Sequence, residues 1–287
     1  MSYRALGIYR EPEFSPGKVE ADAAIMDATL LELKREGVEI QAIDAVSFGN
    51  AAPAGAEIMF ARPDIILAMC QGARALKRLA EAEQAGAIAI NSALSIRNCY
   101  RDLLAPGLER AGVPTPVGAL VQTDERLDLR KLAGVDLSAG VFVKRGDLHA
   151  LAPEDVQHAS DRAEIESILR DFARRGIRAA YLQQEVFGRI VKFYGVSGSD
   201  YFSAHPEAEE VSEASVRALS EAASTAAAAL GLEAWGGDAV LSGDRFAIID
   251  FNDWPSYSRV RGPAARAIAR RAMNLLTRPA QAGQKFK

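Results

Sequence analysis

The sequence predicts an α/β chain that opens with a parallel, helix-covered lobe. Short apolar runs alternate with helical periodicity over the first part of the chain, as strand-helix-strand units do. A proline-bearing break, Val113-Pro114-Thr115-Pro116, then leads to strand candidates that end in charged residues. Near the other end, Ala247-Ile248-Ile249-Asp250 is an apolar run closing on a carboxylate. Pro255 follows soon enough to forbid a longer central strand, so a buried strand stopping at Asp250 is expected.

Taken in order, Ala5 to Tyr9 is the first strand. The polar stretch from Arg10 to Gly17 precedes a helix through Ala24, Ile25, Ala28, Leu31 and Leu33, which Gly37 closes. Val38 to Ile43, Asp64 to Cys70 and Gly86 to Ile90 read as further strands, with a helix from Ala73 to Ala85 between the last two. No Gly-x-Gly-x-x-Gly turn follows any of them, so dinucleotide binding has no support. Ser15-Pro16-Gly17-Lys18-Val19 is not a phosphate loop, because Pro12 takes the first glycine position and Val19 the metal-binding hydroxyl position.

A helix from Asn98 to Ala111 comes next, then strands at Val117 to Val121 and Gly140 to Lys144, and a helix at Arg162 to Arg174. Ala180 to Phe187 and Arg189 to Val196, separated by Gly188, read most simply as a hairpin. Ser212 to Leu230 is an alanine-rich helix. The last helix, from about Ala264 to Leu276, carries Arg266, Arg270 and Arg271 on what its pattern makes a solvated face.

The totals narrow the function classes. At 287 residues, 49% apolar and 25% charged, the chain has ordinary globular composition and can bury a sizeable core. A net charge of -4 gives no overall attraction to nucleic acid or to an anionic membrane. Cys70 and Cys99 lie far apart with no metal-ligand spacing, so a reducing cytoplasm is the expected compartment. Apolar runs such as Ile65 to Cys70 fall well short of the roughly 20 residues a membrane helix needs.

Chemistry is concentrated where strands end. Strand alternation points Asp250 and Asn252 to one side and Phe251 to the other, and Asp238 ends the preceding apolar stretch. Such oxygen ligands suit Mg²⁺, which needs only one or two carboxylates when substrate phosphates supply the rest; turn chemistry uses the same residue types. Lys144 and Lys192 interrupt apolar strands. An ammonium there wants an anion, unless it snorkels to the surface or meets a carboxylate.

Five landmarks in order make the chain resemble the ATP-grasp superfamily, with its glutathione synthetase-like fold. Arg101 stands thirteen positions before the first proline of Gly112-Val113-Pro114-Thr115-Pro116. Val143-Lys144, Gln183-Gln184-Glu185-Val186, Val191-Lys192, and then Gly237-Asp238 with Asp250-Phe251-Asn252 follow. The resemblance implies a first α/β lobe at 1–92, a central subdomain at 93–187 and a C-terminal subdomain at 188–287, the last two α+β and sandwiching ATP. Adenine would lie on Gln184, Glu185 and Val186, and the phosphates against Arg101, Lys144, Lys192 and His149. Asp238, Asp250 and Asn252 would hold Mg²⁺, with Mn²⁺ as its alternative. Lys192 and Arg259 would take the catalytic roles, Arg259, with Arg261, as a clamp on a substrate carboxylate, the alternative being that both are plain surface arginines.

The chain departs from the superfamily's pattern at Arg101, where lysine is usual, and at Asp250, where glutamate is usual. A short lid, Arg145-Gly146-Asp147-Leu148-His149, replaces a longer glycine-rich one. His149, Asp250-Phe251-Asn252 and Pro255-Ser256-Tyr257 are similar to the inositol-phosphate kinase branch; the ribosomal-protein glutamate ligase branch is the other local likeness. The expected function is therefore a ligase that activates a small carboxylate as an acyl phosphate for coupling to an amine. A kinase acting on a hydroxyl of a polyol or sugar-alcohol phosphate is the alternative. The expected partner is a small-molecule substrate, without nucleic acid or membrane, and a homodimer is admitted.

Overall fold

The computed structural model describes residues 2–50, 62–132, 134–207 and 211–278. Its first sheet is parallel, in the order β2-β1-β3-β4, from β1 (Arg4–Tyr9), β2 (Glu39–Asp44), β3 (Ile65–Ala68) and β4 (Ile88–Ile90). Strand β3 is buried at every residue, as a central strand covered on both faces must be, and the exposed β2 lies at the edge. Helices α1 (Val19–Arg35), α2 (Ala45–Asn50) and α3 (Ala73–Gln84) connect or flank these strands. Helix α1 buries Ile25, Met26, Thr29, Leu30 and Leu33, a stripe at helical spacing.

Two short helices, α4 (Ala93–Asn98) and α5 (Arg101–Arg110), lead to the second sheet. The single helix expected over Asn98 to Ala111 is thus corrected: the chain is extended at Tyr100, whose buried hydroxyl donates to the Gln71 carbonyl at 2.7 Å. The second sheet is antiparallel, in the order β5-β8-β6-β7, from β5 (Gly118–Gln122), β6 (Val141–Arg145), β7 (Val156–Ala159) and β8 (Ala179–Gln184). Helix α6 (Arg162–Arg174) packs Ile165, Leu169 and Phe172 onto Val141, Val143 and Leu182.

The third sheet, β10-β9-β11-β12, is built from β9 (Arg189–Val196), β10 (Phe202–Pro206), β11 (Ala234–Ser242) and β12 (Arg245–Asp253). Helix α7 (Glu213–Leu230) covers one face, over Phe193, Trp235 and Phe251. Helix α8 (Arg261–Thr277) instead packs against α1, and both share one core with Tyr194, Trp254 and Tyr257.

Three further expectations are corrected. Strands β8 and β9 are not a hairpin, since they lie in different sheets and the chain crosses between them at Gly188. A Cβ at Gly188 would sit 2.1 Å from the Leu241 carbonyl oxygen, so the crossing needs a residue without a side chain. Strand β12 does not stop at Asp250 but runs on to Asp253, because Asn252 and Asp253 still pair with Gly236 and Trp235. Arg271 is buried instead of solvated, held by Glu233 at 2.7 and 2.9 Å.

Candidate active site

The expected phosphate and metal residues meet because of strand register. Lys192 on β9 stands opposite Asp238 on β11, and Asp238 stands opposite Asp250 on β12, so three charged side chains form one row across three neighbouring strands. A Cβ at Gly237 would lie 2.3 Å from the Asp250 carbonyl oxygen, which is why glycine stands beside this row. Phe251 turns away into the core, as alternation demands, and Asn252 joins Asp250 with its amide nitrogen 3.5 Å from Asp250 Oδ2.

Cations come to the row from both sides. Lys192 Nζ donates to Asp238 Oδ1 at 2.6 Å. Burial pulls the Lys192 ammonium down, but Asp238 more than offsets this and holds it above its ordinary value. Burial, with Asp250 nearby, raises the Asp238 carboxyl against the pull of Lys192. Arg101, the first residue of α5, lies 3.7 Å from Asp250 Oδ1 and also donates to the Arg145 carbonyl at 3.3 Å. Burial would raise Asp250, yet Arg101, Lys144 and His149 together keep it below the usual carboxylate range.

Lys144 reaches over from the second sheet. Its side chain is buried, and Nζ donates to the Ile249 carbonyl at 3.0 Å. Burial brings this ammonium down to about 8, with Asp250 opposing the shift and Arg101 reinforcing it. Gln183 also donates to the Ile249 carbonyl, at 3.3 Å.

A cavity of about 420 Å³ opens over the row and is lined by Arg101, His149, Lys192, Asp238, Asp250 and Asn252. Arg259, expected as a carboxylate clamp, also lines it, whereas Arg261 does not. Next to it, Arg101, Lys144 and Asp250 border a space of only about 20 Å³ walled by Leu104, Leu108 and Ile248. Gln184, Glu185 and Val186 line neither space. The Gln184 and Glu185 amides donate to Val117 and Gly140, and the Glu185 carboxylate pairs with His158 at 2.8 Å.

The first lobe closes the far end of the cavity with Arg10, Ser15, Lys18, Asp22 and Gln71. Asp253 Oδ1 accepts from Gln71 Nε2 at 3.1 Å and lies 3.2 Å from His149 Nε2. Arg10 donates to Asp22 at 3.1 Å and to the Trp254 carbonyl at 2.8 Å, and Ser15 donates to Asp22 at 2.6 Å. Glu11 accepts the Gln71 and Gly72 amides at 3.0 and 2.9 Å. Among the described residues no group of three His, Cys, Asp or Glu side chains forms a ready-made metal centre.

The overall fold is matched across nearly whole chains of solved structures. D-alanine–D-alanine ligase from Bacillus anthracis, complexed with ATP, matches with a TM-score of 0.70 over 96% of this chain and 98% of that one, at 14% identity. VanG D-Ala:D-Ser ligase from Enterococcus faecalis gives 0.72 over 96% and 100%, at 13% identity. A RimK domain ATP-grasp protein from Sphaerobacter thermophilus gives 0.67 over 93% and 98%, at 18% identity. The chain has the ATP-grasp fold. No protein-family model and no curated protein sequence matches it.

Within this ATP-grasp fold the missed residues differ in how much signal they left. Asp253 stands beside the expected ligands, but it lies beyond Asp250, where the strand was expected to stop. Strand β12 runs on far enough to bring Asp253 to the cavity, and the chain turns at Trp254, with φ of 39°. Gln71 and Asp22 carry no local signal, since the first sheet's topology alone brings them near β12. Among the described residues no helix is long and apolar enough to cross a membrane.

Proposed function

We propose that the chain is an ATP- and Mg²⁺-dependent ligase that activates a small carboxylate as an acyl phosphate and couples it to an amine. The observation that carries this is the meeting of Arg101, Lys144 and Lys192 with Asp238, Asp250 and Asn252 around adjoining spaces between the second and third sheets. The fold it shares with D-alanine–D-alanine ligases, one of them complexed with ATP, supports the reading.

Each side chain has a task that its environment explains. Arg101, Lys144 and Lys192 would neutralise the triphosphate; Arg101 and Lys144 are buried, so their charge would act with little screening, while Lys192 is a third exposed. Asp238, Asp250 and Asn252 would hold Mg²⁺, which supplies charge neutralisation on the β- and γ-phosphates. The carboxylates now face Lys192 and Arg101, so phosphate arrival lets these cations trade partners while the acids stay charged. Adenine would enter between the sheets at the narrow space beside Lys144, displacing the Lys144 and Gln183 bonds to Ile249. Arg259, exposed at the cavity's edge, would orient the carboxylate to be activated.

The kinase reading rests on His149, which the short lid places in the same cavity. Stoichiometry separates the two. With ATP, Mg²⁺ and pooled small acids, the ligase releases ADP and inorganic phosphate only when amines are added. ADP formation with the phosphate retained on an organic product would replace the ligase with the kinase.

A further inference from the structure

Among the described residues, Asp253 is the carboxylate at the cavity whose burial is complete and whose bonding is not. Its side chain has no solvent exposure and it lines the cavity, yet Oδ2 has no hydrogen-bond partner. The nearest cation, Arg10 Nη2, stands 4.0 Å away. A buried anion in this state is costly until a donor reaches it.

The surroundings say which kind of donor. Glu11, Asp22 and Asp253 are all buried within this corner, and among the described residues Arg10 is the guanidinium that pairs with two of them, Asp22 and Asp253. Glu11 meets backbone amides instead. Three carboxylates thus face two first-lobe cations, Arg10 and Lys18, and the corner holds a surplus of negative charge. Neighbouring acids register it: burial and then the charges of Glu11 and Asp253 push the Cys70 thiol up, and burial and then Asp253 do the same to the Tyr100 phenol.

We propose that the first-lobe end of the cavity is a cation seat, built on the hydrogen-bond-free Oδ2 of Asp253, that takes the ammonium group of the acceptor amine. The inference rests on the ligase reading for the identity of the cation, and on the geometry alone for the seat. Gln71 and His149 fix Oδ1 from two different lobes, so the carboxylate is oriented before the amine arrives. The seated ammonium first gives up one proton, to Asp253 or to water, and the freed lone pair of the amine nitrogen attacks the acyl carbon; the carbon–oxygen bond to phosphate breaks and phosphate departs. Of the two remaining protons one stays on the amide nitrogen and the other leaves with the phosphate or to water.

Crystals of the full chain with Mg²⁺ and a nonhydrolysable ATP analogue, soaked in rubidium chloride, test the seat directly, since rubidium is close to ammonium in size and scatters anomalously. The expected result is an anomalous peak in contact with Asp253 Oδ2 that is lost in Asp253→Asn and displaced by methylammonium chloride. No peak in the wild-type crystals, or a peak that persists in Asp253→Asn, overturns the proposal. In the amine-dependent assay, Asp253→Asn should raise the KM for the amine about tenfold, leave the KM for ATP unchanged, and be rescued in part by Asp253→Glu. An unchanged amine KM also overturns it. If the wild-type protein released no amine-dependent phosphate, the ligase reading would fail, while the seat would still stand or fall with the rubidium peak.

Discussion

Lys144 Nζ and the Ile249 carbonyl oxygen, 3.0 Å apart, join strand β6 of one sheet to strand β12 of another. A buried ammonium tied to a single carbonyl is poorly compensated, which is why burial holds Lys144 at about 8. The same bond occupies the path by which a nucleotide would enter between the sheets.

Nucleotide affinity should therefore depend on pH. Raising pH from 7 to 9 discharges Lys144, so affinity for the Mg²⁺ complex of a nonhydrolysable ATP analogue should fall by roughly tenfold across that range. Bound phosphate favours the charged form, so binding near pH 8.5 should take up a proton. Calorimetric titrations in buffers of different ionisation enthalpy measure this uptake.

Stability should move the other way. Lys144 is held below its unfolded value of 10.5, so between about 8 and 10.5 the unfolded chain binds more protons than the folded one. This group's contribution then rises with pH through that window and opposes folding at pH 7. Lys144→Met should leave the protein as stable at pH 7 or more so, by about 1–3 kcal/mol in urea unfolding, while removing the pH dependence of nucleotide binding.

Asp250→Asn should cost at least about 100-fold in Mg²⁺-dependent turnover, roughly 2.7 kcal/mol of transition-state stabilisation. It also leaves Arg101 and Lys144 facing a neutral amide, so stability should drop by about 1–3 kcal/mol. Initial rates against Mg²⁺ concentration and urea unfolding check the two halves separately.

Arg271→Ala should be destabilising without touching the cavity. It removes a two-pronged pair to Glu233 from beneath the third sheet, at a cost of about 2 kcal/mol. Nucleotide affinity should be unaltered when measured well below the unfolding midpoint.

The site was more legible in the sequence than the connections that hold it. Lys192, Asp238 and Asp250 could be picked out because charge in an apolar strand is anomalous wherever the strand pairs. Their register across three strands then followed from antiparallel pairing. Gly188 misled because two apolar runs around a glycine look the same whether the chain folds back or crosses to another sheet. Only the partner strands β6 and β11 decide that. Arg271 read as a solvated charge because its partner, Glu233, lies 38 residues away in sequence. The break in the chain at Tyr100 was hidden for the same reason, since its anchor is the Gln71 carbonyl.

Helices α1 and α8 share a single core, so the first and third sheets are fastened together, whereas the second sheet has apolar packing of its own drawn from residues between Val121 and Leu182. A nucleotide proposed to lie between the second and third sheets would have to part the contacts that join them, Lys144 to Ile249 and His149 to Asp253, while the first and third sheets stay together on their common core.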